Sequence, residues 1–324
     1  MPSSTASPVI LIQSWLPPDR VAPLLDAGFR LQHPPRPEDT FLTNPDVIRE
    51  GREASAIINH GNLPIDRPLL EALPNLRIVA NMARGFDNFD QDAMREHGVW
   101  GTNVPTAFTI PTAEVMMGLL LMTMRRMSEG ERFVREGKWT AHEPGRWDAP
   151  LLAGKTLGII GYGEIGKATA VRAAAFGMTI VHHQRRQLDE GWLPLDDLLA
   201  ISDVVSISTP LTPETHHLIN ATTLAKMKPG AILINTGRGP IVDEQALVDA
   251  LRSGHLGGAG LDVFEQEPKV HPDLLTFPNV AVTPHLGGGT HESRVAAAET
   301  AVANVLAVLQ GGSPAAPIVT PAEH

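Results

Sequence analysis

At 324 residues the chain exceeds the usual reach of a single hydrophobic core and suits two domains. Apolar residues at 43% and charged residues at 19% exclude a disordered or fibrous chain, and a formal net charge of −10 argues against a nucleic-acid partner, which calls for a basic footprint. With no cysteine there is no disulfide framework, thiolate nucleophile or cysteine-held zinc, and no metal site is expected. An anionic substrate stays open, because a local arginine cluster can outweigh the overall field.

In chain order, Met1–Pro8 reads as a polar, frayed tail rather than a targeting segment. Apolar runs of strand type follow at Val9–Ile12, Ala56–Ile58 and Arg77–Ala80, with helical stretches such as Asp66–Ala72 between them. This alternation predicts a first α/β unit over residues 1–103. A long helix is expected from Thr112 to Gly130, with Pro111 near its start, followed by a loop holding Trp139, Pro144, Trp147 and Pro150. Its apolar run Val115–Met124 is too short to span a bilayer, so a buried helix and a cytoplasmic, membrane-free protein are expected. A second series of strands is predicted at Leu157–Ile160, Thr179–His183, Val204–Ser208, Ile232–Asn235, Gly260–Val263 and Val280–Thr283, with helices including Ile165–Phe176 and Asp243–Leu251. Six such strands match a doubly wound nucleotide-binding domain. An alanine-rich helix, His291–Leu309, and a short tail, Pro314–His324, complete the pattern.

The strand at Leu157 runs into Gly161-Tyr162-Gly163-Glu164-Ile165-Gly166 and then a helix. A lone GxGxxG is weak, but this context gives it meaning. Gly161 permits the turn, Gly163 lets backbone approach a pyrophosphate, and Gly166 lets helix and strand pack closely. The helix N-terminus, at Glu164 and Ile165, offers N–H groups to phosphate. The next strand decides which nucleotide binds. Forms that take NAD end it with a carboxylate for the ribose 2′-OH, whereas this one ends in Gln184, Arg185 and Arg186. Two guanidiniums attract a 2′-phosphate, so NADP(H) is the expected cofactor and NAD(H) the weaker one.

Three stretches just beyond apolar strands carry Asn235-Thr236-Gly237-Arg238-Gly239, Asp262 to Pro268, and Thr283-Pro284-His285-Leu286-Gly287-Gly288. Ligands of open α/β sheets bind at the carboxyl ends of strands, so these can converge on one ligand. With Val79-Ala80-Asn81, Gly85-Phe86-Asp87-Asn88 and Arg132-Phe133-Val134-Arg135, they make the chain resemble the D-isomer-specific 2-hydroxyacid dehydrogenase family over nearly its whole length, and most of all its glyoxylate/hydroxypyruvate reductase branch. The resemblance implies an α/β fold of two Rossmann-like lobes with a cleft between them. A flavodoxin-like substrate lobe would comprise residues 1–103 and 290–324, and a doubly wound cofactor lobe 104–289. It further implies Arg238, Glu267 and His285 as catalytic residues. Arg238 would clamp the carboxylate of a small 2-keto or 2-hydroxy acid, and His285 would pass a proton while Glu267 orients it. Thr112, Thr209, Pro210, Thr215, Thr236, Gly237, Asp262, His285 and Gly287 would line the cofactor, and the helix from Thr112 would serve a homodimer interface.

One position departs from that branch. Arg84 stands where its members carry an aliphatic residue, before Gly85, in a loop whose N–H groups receive the substrate carboxylate in the family. Phosphite dehydrogenases place a lysine there, and Gly85-Phe86-Asp87-Asn88-Phe89-Asp90 is similar to their local sequence. Oxidation of phosphite, or turnover of a keto acid with a second anionic group held by Arg84, is therefore an alternative. A non-catalytic NADP-binding sensor is a third reading, set against retention of all three catalytic candidates.

Overall fold

Short apolar runs bounded by turn residues become strands in both halves of the computed structural model, which describes residues 7–34, 52–187 and 190–322. Contacts divide the chain into two units, Met1–Phe108 with Thr290–His324, and Thr109–Gly289. Both are α/β domains built on a parallel sheet. The stretch expected to be a frayed N-terminal tail lies, up to Ala6, outside the described residues.

In the first unit, β1 (Val9–Ile12), β2 (Arg30–Gln32), β3 (Ala54–Asn59), β4 (Ile78–Asn81) and β5 (Trp100–Thr102) pair in the order β2-β1-β3-β4-β5. This is the flavodoxin-like order 2-1-3-4-5. The runs in β3 and β4 are continuous rather than alternating because both faces are covered. Ile10, Ala56, Ile58 and Ala80 face one core, and Leu11, Ile57 and Val79 face the other. The second of these cores is closed by α2 (Arg67–Ala72) and α3 (Gln91–Glu96), while α1 (Pro18–Asp26) packs on the first. Asp66 caps α2, its carboxylate accepting Leu69 N at 3.1 Å. Strands β2 and β5, three residues each, are absent from the sequence reading, since so short a run carries no period.

The second unit opens with α4 (Thr109–Met124) and α5 (Met127–Arg135). One continuous helix to Gly130 was expected, and the structure corrects this with a break at Arg126, whose φ of 55° is left-handed. Neither Gly nor Pro marks the break. The Arg126 guanidinium grips both Glu129 carboxylate oxygens at 2.9 and 3.0 Å and Arg146 O at 2.8 Å. Then follow β6 (Thr156–Ile160), α6 (Glu164–Ala175), β7 (Thr179–His183), α7 (Leu195–Ile201), β8 (Val204–Ile207), α8 (Ala221–Leu224), β9 (Ile232–Asn235), α9 (Glu244–Arg252), β10 (Gly258–Leu261) and β11 (Val280–Val282). The sheet order is β11-β10-β9-β8-β6-β7. Beyond β7, Gly191 O accepts His182 N at 2.9 Å and Leu193 N donates to His182 O at 2.8 Å, in a parallel bridge at Trp192. Counting 191–193 as a third strand gives the doubly wound order 3-2-1-4-5-6, with β11 added at the far edge.

Helix α4 is buried by its own unit. A β-carbon on Gly258 would come within 2.8 Å of Thr123 Cγ2, and one on Gly260 within 3.0 Å of Leu119 Cβ, so these two glycines let the helix lie directly on β10. Its buried residues, among them Met116, Leu119 and Leu120, are therefore accounted for by packing within the unit. The chain returns to the first unit with α10 (His291–Leu309), capped by Thr290, whose Ala297, Ala301 and Val305 pack on β3 and β4. The tail after it is ordered at Val319, which is buried and exchanges two backbone hydrogen bonds of 3.0 Å with Gly101. Among the described residues no helix is long and apolar enough to cross a membrane.

Candidate functional site

The nucleotide turn follows from packing at the end of β6. Gly161 has φ +95°, and a β-carbon there would lie 2.5 Å from Thr209 N, so only glycine lets β6 turn against the 208–209 backbone. Gly166 is buried against the same turn. Gly163, the N-cap of α6, is exposed, and a β-carbon there would meet nothing within 4 Å, which leaves room for a ligand to reach the helix N-terminus. Glu164 is exposed and accepts from Thr109 Oγ1 at 3.2 Å, while Ile165 is half-buried. Nearby, the buried Ser208 Oγ and Thr236 Oγ1 have no hydrogen-bond partner among the described residues. Buried hydroxyls without a partner suit a site completed by a polar ligand. These features fit a dinucleotide.

At the end of β7, Gln184 O accepts Trp192 Nε1 at 2.9 Å, and Arg185 and Arg186 are exposed. Arg185 also acts on Glu214, where a hydrogen bond from Thr212 and then this positive charge hold the carboxyl below its ordinary value. Within the 209–215 loop, Thr215 Oγ1 donates to Pro210 O at 2.7 Å and accepts Thr212 N at 2.7 Å, so its hydroxyl braces the loop.

The three polar stretches beyond β9, β10 and β11 come together. Asn235 Oδ1 accepts Gly237 N and Asn235 Nδ2 donates to Arg238 O, both at 3.0 Å, which shapes the turn that carries Arg238. Arg238 Nη1 donates to Gly237 O at 3.0 Å. Gly239 then lies so close to the Phe264 carbonyl that any β-carbon would overlap it. This locks the Arg238 turn to the turn bearing Glu267, and sequence reading passed over it because nothing local distinguishes Gly239 from an ordinary loop glycine.

His285 has φ 54°, an uncommon conformation that its surroundings enforce. Its N–H donates to Asp262 O at 2.9 Å. The buried Asp262 carboxylate accepts Thr283 Oγ1 and Leu286 N at 2.6 Å and Gly287 N at 2.8 Å, and Thr112 Oγ1 donates to Gly287 O at 3.0 Å. Asp262, Thr112 and Gly287 thus form the bed of the histidine loop. On that bed His285 Nδ1 meets Glu267 Oε2 at 2.8 Å, with side chains 48% and 37% exposed. Glu267 Oε1 accepts Phe264 N at 3.1 Å.

The electrostatics follow this geometry. The hydrogen bond to Glu267, against the opposing effect of burial, holds the His285 imidazole above its usual value; Glu267's charge adds to this and Arg238 opposes it. For Glu267, partial burial pushes upward, but the His285 bond and charge, Phe264 N and Arg238 together bring it below the ordinary carboxylate range. The arrangement is an imidazole whose charged form is favoured and whose Nδ1 is engaged by a carboxylate, within electrostatic reach of the Arg238 guanidinium. In the first unit, Asn81 Nδ2 donates to Gly85 O at 3.2 Å and Asn103 Nδ2 to Arg84 O at 2.6 Å, fixing the loop, while Arg84 Nη1 donates to Pro105 O. Among the described residues no group of three His, Asp or Glu side chains is placed to hold a metal.

Comparison with known proteins agrees with this architecture. Residues 117–287 match the model of the D-isomer specific 2-hydroxyacid dehydrogenase NAD-binding domain. The chain is 41% identical over 280 residues to glyoxylate reductase of Thermococcus litoralis, covering 83% of this chain and 84% of that one. It is 45% identical over 269 residues to glyoxylate/hydroxypyruvate reductase B of Erwinia tasmaniensis, covering 80% and 84%. The crystal structure of NADPH-dependent glyoxylate/hydroxypyruvate reductase from Sinorhizobium meliloti, in complex with NADP and malonate, superposes with a TM-score of 0.84 at 35% identity, covering 98% of this chain and 100% of that one. The chain belongs to the D-isomer-specific 2-hydroxyacid dehydrogenase family, an oxidoreductase lineage acting on 2-hydroxy acids.

Proposed function

We propose that this protein is a 2-keto acid reductase of the glyoxylate/hydroxypyruvate type that prefers NADP(H). The observation that carries the reading is the His285–Glu267 pair at 2.8 Å, with Arg238 acting electrostatically on both. The nicotinamide nucleotide supplies the hydride. Arg238 binds the substrate carboxylate and stabilises the charge that grows on the keto oxygen. His285 Nε2 gives that oxygen its proton, and Glu267 keeps Nδ1 protonated and the ring oriented. The exposed N-terminus of α6 would receive the pyrophosphate and Arg185 and Arg186 the 2′-phosphate, with Thr236 and the 209–210 backbone along the cofactor.

The pre-formed proton-donating pair favours an enzyme over a sensor, which needs no such pair. The guanidinium of Arg84 donates to Pro105 O, which favours an ordinary keto acid over a second anion held by that residue. A homodimer is part of the proposal, with the exposed apolar surface that follows α4 as its contact. The test is NADPH consumption with glyoxylate, hydroxypyruvate and phenylpyruvate, beside NADP+ reduction with phosphite. Turnover of at least one keto acid, with NADPH preferred to NADH, is expected. Turnover of phosphite alone, or of nothing, would overturn the proposal.

A further inference from the structure

Two residues before Glu267, a second carboxylate meets a second imidazole. His217 Nε2 and Glu265 Oε1 are 2.7 Å apart, with side chains 34% and 28% exposed. The other oxygen, Glu265 Oε2, accepts Glu244 N at 3.3 Å, and Glu265 N donates to Glu244 Oε1 at 2.7 Å. Each glutamate therefore accepts the backbone N–H of the other, which ties the 264–267 turn to the first turn of α9. His217 is itself held. Its φ is 49°, its N–H donates to Pro240 O at 2.8 Å, and its carbonyl accepts Asn220 Nδ2 at 2.9 Å. A left-handed non-glycine residue is uncommon and persists only where its surroundings determine it. That conformation aims the imidazole at Glu265.

We infer that His217 and Glu265 are positioning residues whose hydrogen bond pins the 264–267 turn and so holds Glu267 against His285 Nδ1. The link is short, because Glu265 and Glu267 flank a single residue and Glu267 is hydrogen-bonded back to Phe264 N. Gly239 closes the other side of the turn. The groups facing His217 are Glu265 and the stacked ring of His216, 4.1 Å away. Those facing Glu265 are His217 and Glu244; burial, with the charge of Glu265 adding to it, raises the Glu244 carboxyl. Those acting on His285 are Glu267, Arg238 and Asp262. Two neighbouring carboxylates repel, and the His217 imidazole is the donor that keeps Glu265 in place.

This rests on the assignment of His285 as the proton donor, and the experiment separates the two. The pH dependence of kcat/KM for NADPH-driven glyoxylate reduction is measured on the full chain for the wild type and for His217→Asn, Glu265→Ala and Glu265→Gln, with thermal midpoints alongside. Asparagine tolerates the left-handed backbone but cannot reach Glu265. Glu265→Gln keeps one carbonyl oxygen to accept from His217 but sets an amide NH2 against Glu244 N. His217→Asn and Glu265→Ala are expected to lower kcat roughly tenfold to a hundredfold, as a small misplacement does. They are also expected to move the alkaline fall to lower pH, with KM for NADPH unchanged and Glu265→Gln, which keeps one of the two bonds, between Glu265→Ala and wild type. An alkaline fall that stays in place in His217→Asn and Glu265→Ala, however low kcat becomes, overturns the inference, because lost folding scales activity without moving a midpoint. If His217→Asn does not fold, the two Glu265 variants decide by the same criterion. A wild type with no alkaline fall refutes the His285 assignment itself, and the inference with it.

Discussion

At the scale of single residues, the site is a set of polar groups whose partners are assigned before any ligand binds. Glu267 engages Nδ1 of His285, so in the proposed reaction the proton to be transferred sits on Nε2. A histidine raised above its usual value stays protonated below that raised value and loses its proton as pH rises through it. Keto acid reduction should therefore fall on the alkaline side, and Glu267→Gln, which removes the charge that supports the cation, should move the fall to lower pH. An unmoved midpoint in that variant would contradict the role given to Glu267. Removing the acid altogether, in His285→Ala, should lower kcat by about 10²- to 10⁴-fold. Arg238→Ala should raise KM for the keto acid as well as lower kcat, since the proposal has Arg238 act on both the bound carboxylate and the developing charge. Steady-state kinetics on the two variants checks both, and near-wild-type turnover by either refutes its assignment.

Elements place these residues, and they show how much of the molecule its sequence discloses. Both sheets were legible wherever a strand is buried on two faces, as at Ile57-Ile58 or Leu233-Ile234, because such strands are plain apolar runs. The candidate site residues could be picked out because each lies just past such a run, and the structure brings His285 and Glu267 into contact. Strand β10 was misplaced by two residues, because Gly258 and Gly260 carry no strand signal and are there for the helix that lies on them. The break at Arg126 and the His217–Glu265 pair were not legible, because each depends on a partner distant in the sequence, Arg146 for the first and Glu265 for His217. These differences can be tested at the level of the element. Gly260→Val should force Leu119 and Ile234 apart at a cost of about 1–3 kcal/mol, lowering the melting temperature by roughly 2–4 °C for each kcal/mol. An unchanged melt would mean that α4 does not rest on β10. At the end of β7, Arg185→Ala with Arg186→Ala should raise KM for NADPH by about tenfold or more, at roughly 1.5–3 kcal/mol for each hydrogen bond to a charged group, and leave KM for NADH nearly unchanged. An equal rise for both nucleotides would remove the 2′-phosphate from the account.

At the scale of the whole molecule, the surface after α4 is the part that one chain does not cover. Helix α5 buries none of its residues, and Met127, Val134, Trp139 and Leu151 are 54%, 54%, 62% and 69% exposed. Yet this arm is ordered. Phe133 and Trp147 meet edge to face at 5.2 Å, with Arg146 over the first ring at 4.4 Å and Arg126 over the second at 5.1 Å. Gly130, Phe133, Val134, Trp139, His142, Glu143 and Trp147 line a hollow of about 380 Å³. An ordered apolar surface of this kind fits the proposed homodimer contact better than a frayed loop. Because the surface is pre-formed, little ordering entropy opposes its burial against a second copy. Sedimentation should therefore give a particle of twice 34.8 kDa for the wild type. Val134→Glu with Trp139→Glu should give the monomer, because two carboxylates per copy would be buried without partners. The melt of the isolated chain should change little, since neither side chain belongs to its core. A wild type that sediments as a monomer, or a double variant that stays dimeric, would mean that another face joins the subunits.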